Sequence, residues 1–231
     1  NFLSNIENSN IKEDEQCQNK EENYENPKEY YVNSMDKTGN ANSIGFFFFG
    51  FSTFLSCLTL VKAYDSNPAI FSFCFFGGGL VQFICGFLEW QKGNTVSANI
   101  FIGWGIYNIV FPINQLLPVW GWTTGFSKTA QGCTNLTWLY FATVILLGSF
   151  KGPIIYILMD ASIVLLNLFS VAGAFAESEK LLKVAGSFGM IVSFFALYVA
   201  TALFINASYG KVIIPFFAKG EKIGDKLIKK L

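Results

Sequence analysis

The sequence has no arginine and no histidine among its 231 residues. Without arginine there is no planar, two-pronged clamp for a carboxylate or phosphate. Without histidine the commonest general base and metal ligand near neutral pH is missing. Cysteine is sparse, with five residues at positions 17, 57, 74, 85 and 133, three of them inside apolar runs. Their number is odd and no two stand in C-x-x-C spacing, so neither a zinc site nor a disulfide framework is expected. No nucleophile is paired with a base and no metal set is visible, so the residues point away from an enzyme and imply no cofactor.

Charge is scarce as well. Charged residues make up 14% of the chain and cancel to zero. No basic face carries interleaved aromatics, which argues against nucleic acid as a partner. Nine of the 16 acids lie before Gly39 and six of the 16 lysines after Asn206, leaving the middle nearly uncharged. The chain opens on an acidic, Asn-rich stretch instead of a positive end followed by an apolar core, so no cleavable signal peptide is expected and the first span would direct insertion.

What the chain has in excess is apolar surface: it is 52% hydrophobic and 17% aromatic, with 26 phenylalanines. That is too much for a water-soluble domain of this size. Residues 1–43 are polar and rich in Asn, Glu and Lys, and are expected to form a disordered acidic tail. Six apolar segments follow, at 44–61, 70–88, 98–117, 136–150, 153–176 and 184–206. Most approach the roughly 20 residues that cross a bilayer core. In lipid such segments must be helices. The fold class is therefore an all-α membrane protein, six transmembrane helices in a compact bundle over 44–206.

Turn and charge signals separate the segments, among them Asp65-Ser66-Asn67-Pro68, Lys92-Gly93-Asn94, a long Gly/Thr-rich loop to Asn135, and Lys151-Gly152-Pro153. An even number of spans puts both ends on one side, and that side collects most of the lysines, which favours cytosolic termini. Residues 207–231 read as a basic amphipathic tail, with lysines at 219, 222, 226 and 229 opposite Phe216, Ile223, Leu227 and Leu231. Asn135-Leu136-Thr137 is a glycosylation sequon on the side opposite the termini, and its nearness to the membrane argues against its use.

A polar side chain in lipid is costly and normally turns inward, so polar stripes at helical spacing mark faces toward a pocket or a neighbouring helix. Four are present: Gly45, Phe49, Ser52, Ser56 and Thr59 in the first span; Gly79, Gln82, Gly86 and Glu89 in the second; Ser97, Phe101, Trp104, Asn108 and Phe111 in the third; Asp160, Ile163, Asn167 and Ser170 in the fifth. Ser52, Gln82, Asn108 and Asn167 are the expected polar lining of a passage. The sixth span instead carries a seam of small residues, Gly186, Gly189, Ser193, Ala196 and Ala200, which reads as close helix packing. Asp160, the acid deepest in an apolar run, is a candidate for proton coupling. The start of the first helix, with Asn40, Ser43 and Gly45, offers free backbone N–H groups as an anion site.

Asn40-Ala41-Asn42-Ser43-Ile44-Gly45-Phe46 opens the first span, and Gly78-Gly79-Leu80-Val81-Gln82 and Lys92-Gly93-Asn94 follow. Phe101-Ile102-Gly103-Trp104-Gly105, Gly148-Ser149-Phe150-Lys151-Gly152 and Ala196-Leu197-Tyr198 come later, and Asn206, Gly210 and Pro215 close the pattern over about 40–215. Together these segments resemble the acetate uptake transporter family, which includes succinate-acetate permeases. The first is similar to the family's N-P-A-P-L-G-L motif without either proline, the segment at 101–105 to F-T-S-Y-G and that at 148–152 to G-T-L-K-G.

The resemblance implies a six-helix bundle assembled as a homo-hexamer, each subunit with its own substrate path. It also implies a narrow hydrophobic constriction formed by Phe49, Trp104 and Ile163. The implied substrates are small carboxylates, acetate and also succinate, with protons as a further partner; the apolar spans make membrane lipids partners too, and the plasma membrane is the expected location with an organelle membrane as the alternative. Two other readings stand beside it. One is a non-conducting membrane interaction or signalling subunit, favoured by the missing prolines. The other is an exporter of ammonia or another small neutral solute, suggested by the lack of fixed charge along the path.

Overall fold

The computed structural model describes residues 40–65, 67–125 and 127–217. The expected acidic tail falls almost wholly outside the described residues, as does most of the expected basic amphipathic tail, including its lysines from Lys219 onward. Among the described residues six helices are long and apolar enough to cross a membrane: α1 (Ala41–Leu60), α2 (Pro68–Gln91), α3 (Thr95–Val119), α4 (Lys128–Ser149), α5 (Ile154–Phe175) and α6 (Glu179–Tyr209).

Their starts are chemically marked. Asn67 accepts from the amides of Ala69 and Ile70 with Pro68 in the first turn. Asn94 accepts from Ser97, Ser127 from Ala130, and Ser178 from Leu181. Each cap satisfies a backbone donor that the helix itself leaves unpaired. Gly210 ends α6 at φ 63, a left-handed conformation that glycine takes without a Cβ penalty.

The structure moves the starts of two spans: α6 begins at Glu179 and not at 184, and the larger change is in α4. The fourth span does not begin at 136; the stretch expected to be loop from Lys128 to Asn135 is two further turns of α4. Thr129, Gln131, Thr134 and Asn135 lower the hydropathy there, so the segment looked like loop although its backbone is helical. This lengthening also places the Asn135 sequon within a helix, where its amide donates to the Ser170 carbonyl at 3.4 Å.

The helices form a ring of neighbours. α3 packs on α2, α2 on α1, α1 on α6, α6 on α5 and α5 on α4. The ring closes between α4 and α3 through aromatic side chains: Trp138 stacks on Trp104 at 5.8 Å, and Phe141 meets Trp104 edge-on at 5.4 Å. The small residues of α6 pack as expected. Ala196 and Ala200 are fully buried, and the Ser193 hydroxyl donates to the Gly50 carbonyl of α1 at 2.7 Å.

In the middle of α2, Cys74–Val81 is wound as a π-helix. Such widened turns insert an extra residue and are common at functional sites. Here the stretch holds Gly77-Gly78-Gly79, and a Cβ on Gly78 would come within 2.9 Å of the Asn108 amide oxygen. Glycine there lets α2 approach both α1 and α3.

After α6 the chain turns back. The Asn206 carboxamide accepts from the amides of Ile213 and Ile214 at 2.7 and 2.9 Å and donates to the Ile214 carbonyl at 2.8 Å. The Tyr198 hydroxyl donates to the Pro215 carbonyl at 2.8 Å, and the Ile154 amide to that of Phe217 at 3.2 Å. Asn206, Gly210 and Pro215, three separate landmarks in the sequence, thus belong to one returning segment.

Candidate functional site

The stripes of α1, α3 and α5 meet around a cavity of about 510 Å³. Phe49 and Ser56 come from α1, Trp104, Asn108 and Phe111 from α3, and Ile163, Asn167 and Ser170 from α5. The cavity lies toward the C-terminal ends of these three helices and the N-terminal ends of α4 and α6. It is therefore a vestibule on the side of the bundle away from the start of α1 and the end of α6.

Its floor is where the expected constriction falls. Phe49, Trp104 and Ile163 are 6%, 5% and 3% exposed, and the Phe49 and Trp104 rings lie 6.1 Å apart at 34°. Among the described residues no wall residue comes from α1 before Phe49 or from α5 before Ile163, so the cavity ends at this level. Tyr107 and Trp138, at 5.1 Å edge to face, extend the aromatic wall above the floor.

Polarity rises toward the mouth. The Asn108 and Asn167 carboxamides each donate to the carbonyl one turn back, Trp104 and Ile163, at 2.9 Å. Ser170 bonds back to Leu166 in the same way. These bonds hold the polar groups against their own helices within the cavity wall. The Trp104 Nε1 donor is buried with no hydrogen-bond partner among the described residues. A buried donor left unpaired costs about 1–3 kcal/mol.

The other expected site residues lie elsewhere. Ser52 is fully buried and its hydroxyl donates to the Phe49 carbonyl. Gln82 is fully buried, and neither of its amide atoms has a partner among the described residues. It shares a face of α2 with Gly79 and Gly86, which abut Ile109 and Ile102 of α3, and it is not among the vestibule walls. Glu89 belongs to a polar cluster, accepting from Asn42 at 3.1 Å, Asn94 at 2.8 Å and Lys92 at 3.2 Å.

Asp160 is 3% exposed, one turn before Ile163, and its carboxylate accepts from the Ser149 hydroxyl at the end of α4. At the start of α1 the Ser43 hydroxyl donates to the Ala200 carbonyl at 3.1 Å, and Gly45 is covered by the Phe101 ring. Asn40 directly precedes α1.

One lining face escaped the sequence reading. α4 contributes Lys128, Gln131, Asn135 and Trp138 to the vestibule, a spacing of three, four and three residues that keeps them on one side of a helix. That spacing was the available signal.

Among solved structures, that of the bacterial acetate channel SatP superposes on this chain with a TM-score of 0.75 at 26% identity, covering 78% of this chain and 99% of the other. The succinate-acetate/proton symporter SatP of Escherichia coli (strain K12) is 26% identical over 179 residues, 78% of this chain and 95% of that protein. Acetate permease A of Emericella nidulans is 27% identical over 198 residues, 78% of this chain and 66% of that protein. The profile of the GPR1/FUN34/yaaH family matches residues 23–218, a stretch containing all six helices and the vestibule, and the chain belongs to that family.

Proposed function

We propose that this chain carries acetate and related small carboxylates across a membrane, through the vestibule and past Phe49, Trp104 and Ile163. The observation that supports this reading is the floor itself, where buried apolar side chains from three helices stand at the end of a cavity lined by both polar and apolar groups. Water held by a carboxylate has no partners at such a plug, so passage requires the solute to shed it, and width and dehydration cost together select small acids. The unpaired Trp104 Nε1 offers one replacement hydrogen bond as water leaves. The names borne by the relatives, an acetate channel, a succinate-acetate/proton symporter and an acetate permease, support the substrate class.

Beyond the plug a carboxylate meets no arginine, and the partners left are dipoles and protons. Asp160, one turn past Ile163 on α5, is placed to exchange a proton with a passing acid. The start of α1, near Asn40, Ser43 and Gly45, supplies helix dipole for the anion on that side. With both termini cytosolic and the bundle in the plasma membrane, the vestibule opens outward. The subunits assemble as a homo-hexamer, each with its own path.

Uptake of labelled acetate into proteoliposomes, with and without a pH gradient, tests the proposal. Saturable uptake by the wild-type chain that falls or rises on truncating the plug residues is expected. Absence of uptake above that of empty liposomes overturns it in favour of a non-conducting subunit.

A further inference from the structure

Among the described residues the vestibule walls contain six carboxamides and several hydroxyls but no acidic side chain, and Lys128 alone of them carries a charge. Lys128 has no ion-pair partner among the described residues. It is exposed, it is the first residue of α4, and its face of that helix leads through Gln131 and Asn135 to Trp138. Ten residues of helix separate Lys128 from Trp138, about 15 Å at 1.5 Å per residue. Trp138 in turn stacks on Trp104 at the floor. The lysine therefore stands at the mouth and the indole pair at the bottom of one continuous wall.

A single unneutralised charge in a cleft with low-dielectric walls acts on more than its immediate neighbours. The walls focus its field into the cavity and raise the local concentration of ions of opposite sign. The acids at the same end of the bundle, Asp65 and Glu177 on turns between helices and Glu179 as the first residue of α6, are not among the walls. No acidic side chain among the described wall residues cancels the lysine.

We propose that Lys128 is the charge selector of this protein, recruiting carboxylates into the vestibule and handing them down the α4 face toward Trp138. The inference rests on the transport reading above and adds to it the residue that makes the mouth prefer anions. It gives α4, otherwise a peripheral helix, a direct part in recognition.

The test uses the full chain in proteoliposomes, measuring initial rates of labelled acetate uptake at low and high ionic strength. Lys128→Glu is expected to lower the rate by about threefold to tenfold at about 10 mM salt. At about 1 M salt, where screening acts within roughly 3 Å, the deficit should close. It should appear as a raised KM with the maximal rate kept, and Lys128→Arg, which retains the charge, should recover most of the rate. A Lys128→Glu protein that matches wild type at low salt overturns the selector alone, as does a deficit that salt does not reduce. A wild-type chain that moves no acetate overturns the transport reading and the selector together.

Discussion

The Trp104 and Trp138 indoles stack at 5.8 Å and 27°, and through them α3 reaches α4 where the backbones themselves are not closely packed. Trp104 is at once a floor residue of the vestibule and the anchor of this bridge. Removing the Trp138 ring should thus act on the floor through Trp104. Trp138 is only half-buried, so Trp138→Ala should fall below the ~3–5 kcal/mol of a fully buried aromatic truncation, at about 1–3 kcal/mol. The expected outcome is a lower melting midpoint in detergent together with faster uptake of carboxylates larger than acetate. Trp138→Phe should preserve most of both.

The plug makes a separate prediction. Phe49→Ala and Ile163→Ala each remove a buried side chain from the level at which the cavity ends, while leaving the walls above intact. Solute discrimination should fall: the ratio of acetate to butyrate uptake should drop several-fold in either variant. Trp104→Tyr tests the indole donor, because it replaces the unpaired Nε1 with a hydroxyl. Uptake of these solutes side by side measures all three, and unchanged ratios throughout would remove the plug from the mechanism.

The lining was legible from sequence on three helices because lipid leaves polar residues few places to go. Trp104, Asn108 and Phe111, or Ile163, Asn167 and Ser170, fall at helical spacing and do face one cavity. The face of α2 bearing Gly79, Gln82 and Gly86 has the same spacing and yet packs against α3. Periodicity identifies a face turned from lipid and cannot tell a cavity from a neighbouring helix. On α4 the polar residues of the lining hid the helix itself, because Gln131, Thr134 and Asn135 depressed the hydropathy used to find the span. The return after α6 left no periodic mark, since the Asn206 bonds join residues seven or eight apart.

Asp160 offers a test of proton coupling that leaves the vestibule untouched. Its carboxylate is buried against the Ser149 hydroxyl, and Asp160→Asn keeps the size while removing the ionisable group. If Asp160 carries the proton, the substituted protein should still equilibrate acetate but lose the acceleration produced by an inward proton gradient. The same measurement on Ser149→Ala, which leaves the acid in place without its donor, should show weakened but detectable gradient dependence. Equal gradient responses in wild type and Asp160→Asn would assign the proton to the solute itself.

Asn206 is the last residue whose role can be measured independently of transport. One side chain accepts two backbone amides and donates to one carbonyl, which fixes the chain at Ile213 and Ile214 against the end of α6. Alanine at 206 would leave those backbone groups without that partner. Net hydrogen bonds contribute about 1 kcal/mol each, and partial exposure of this region lets water replace some of them, so a loss of about 1–2 kcal/mol is expected. The effect should be local. Hydrogen exchange should speed up at the amides of Ile213 and Ile214 in Asn206→Ala while amides in the middle of α6 keep their protection. Tyr198→Phe removes only the bond to Pro215 and should loosen the same segment to a smaller degree. Unaltered exchange at 213 and 214 in the alanine variant would mean that the return is held by its apolar contacts and not by the carboxamide.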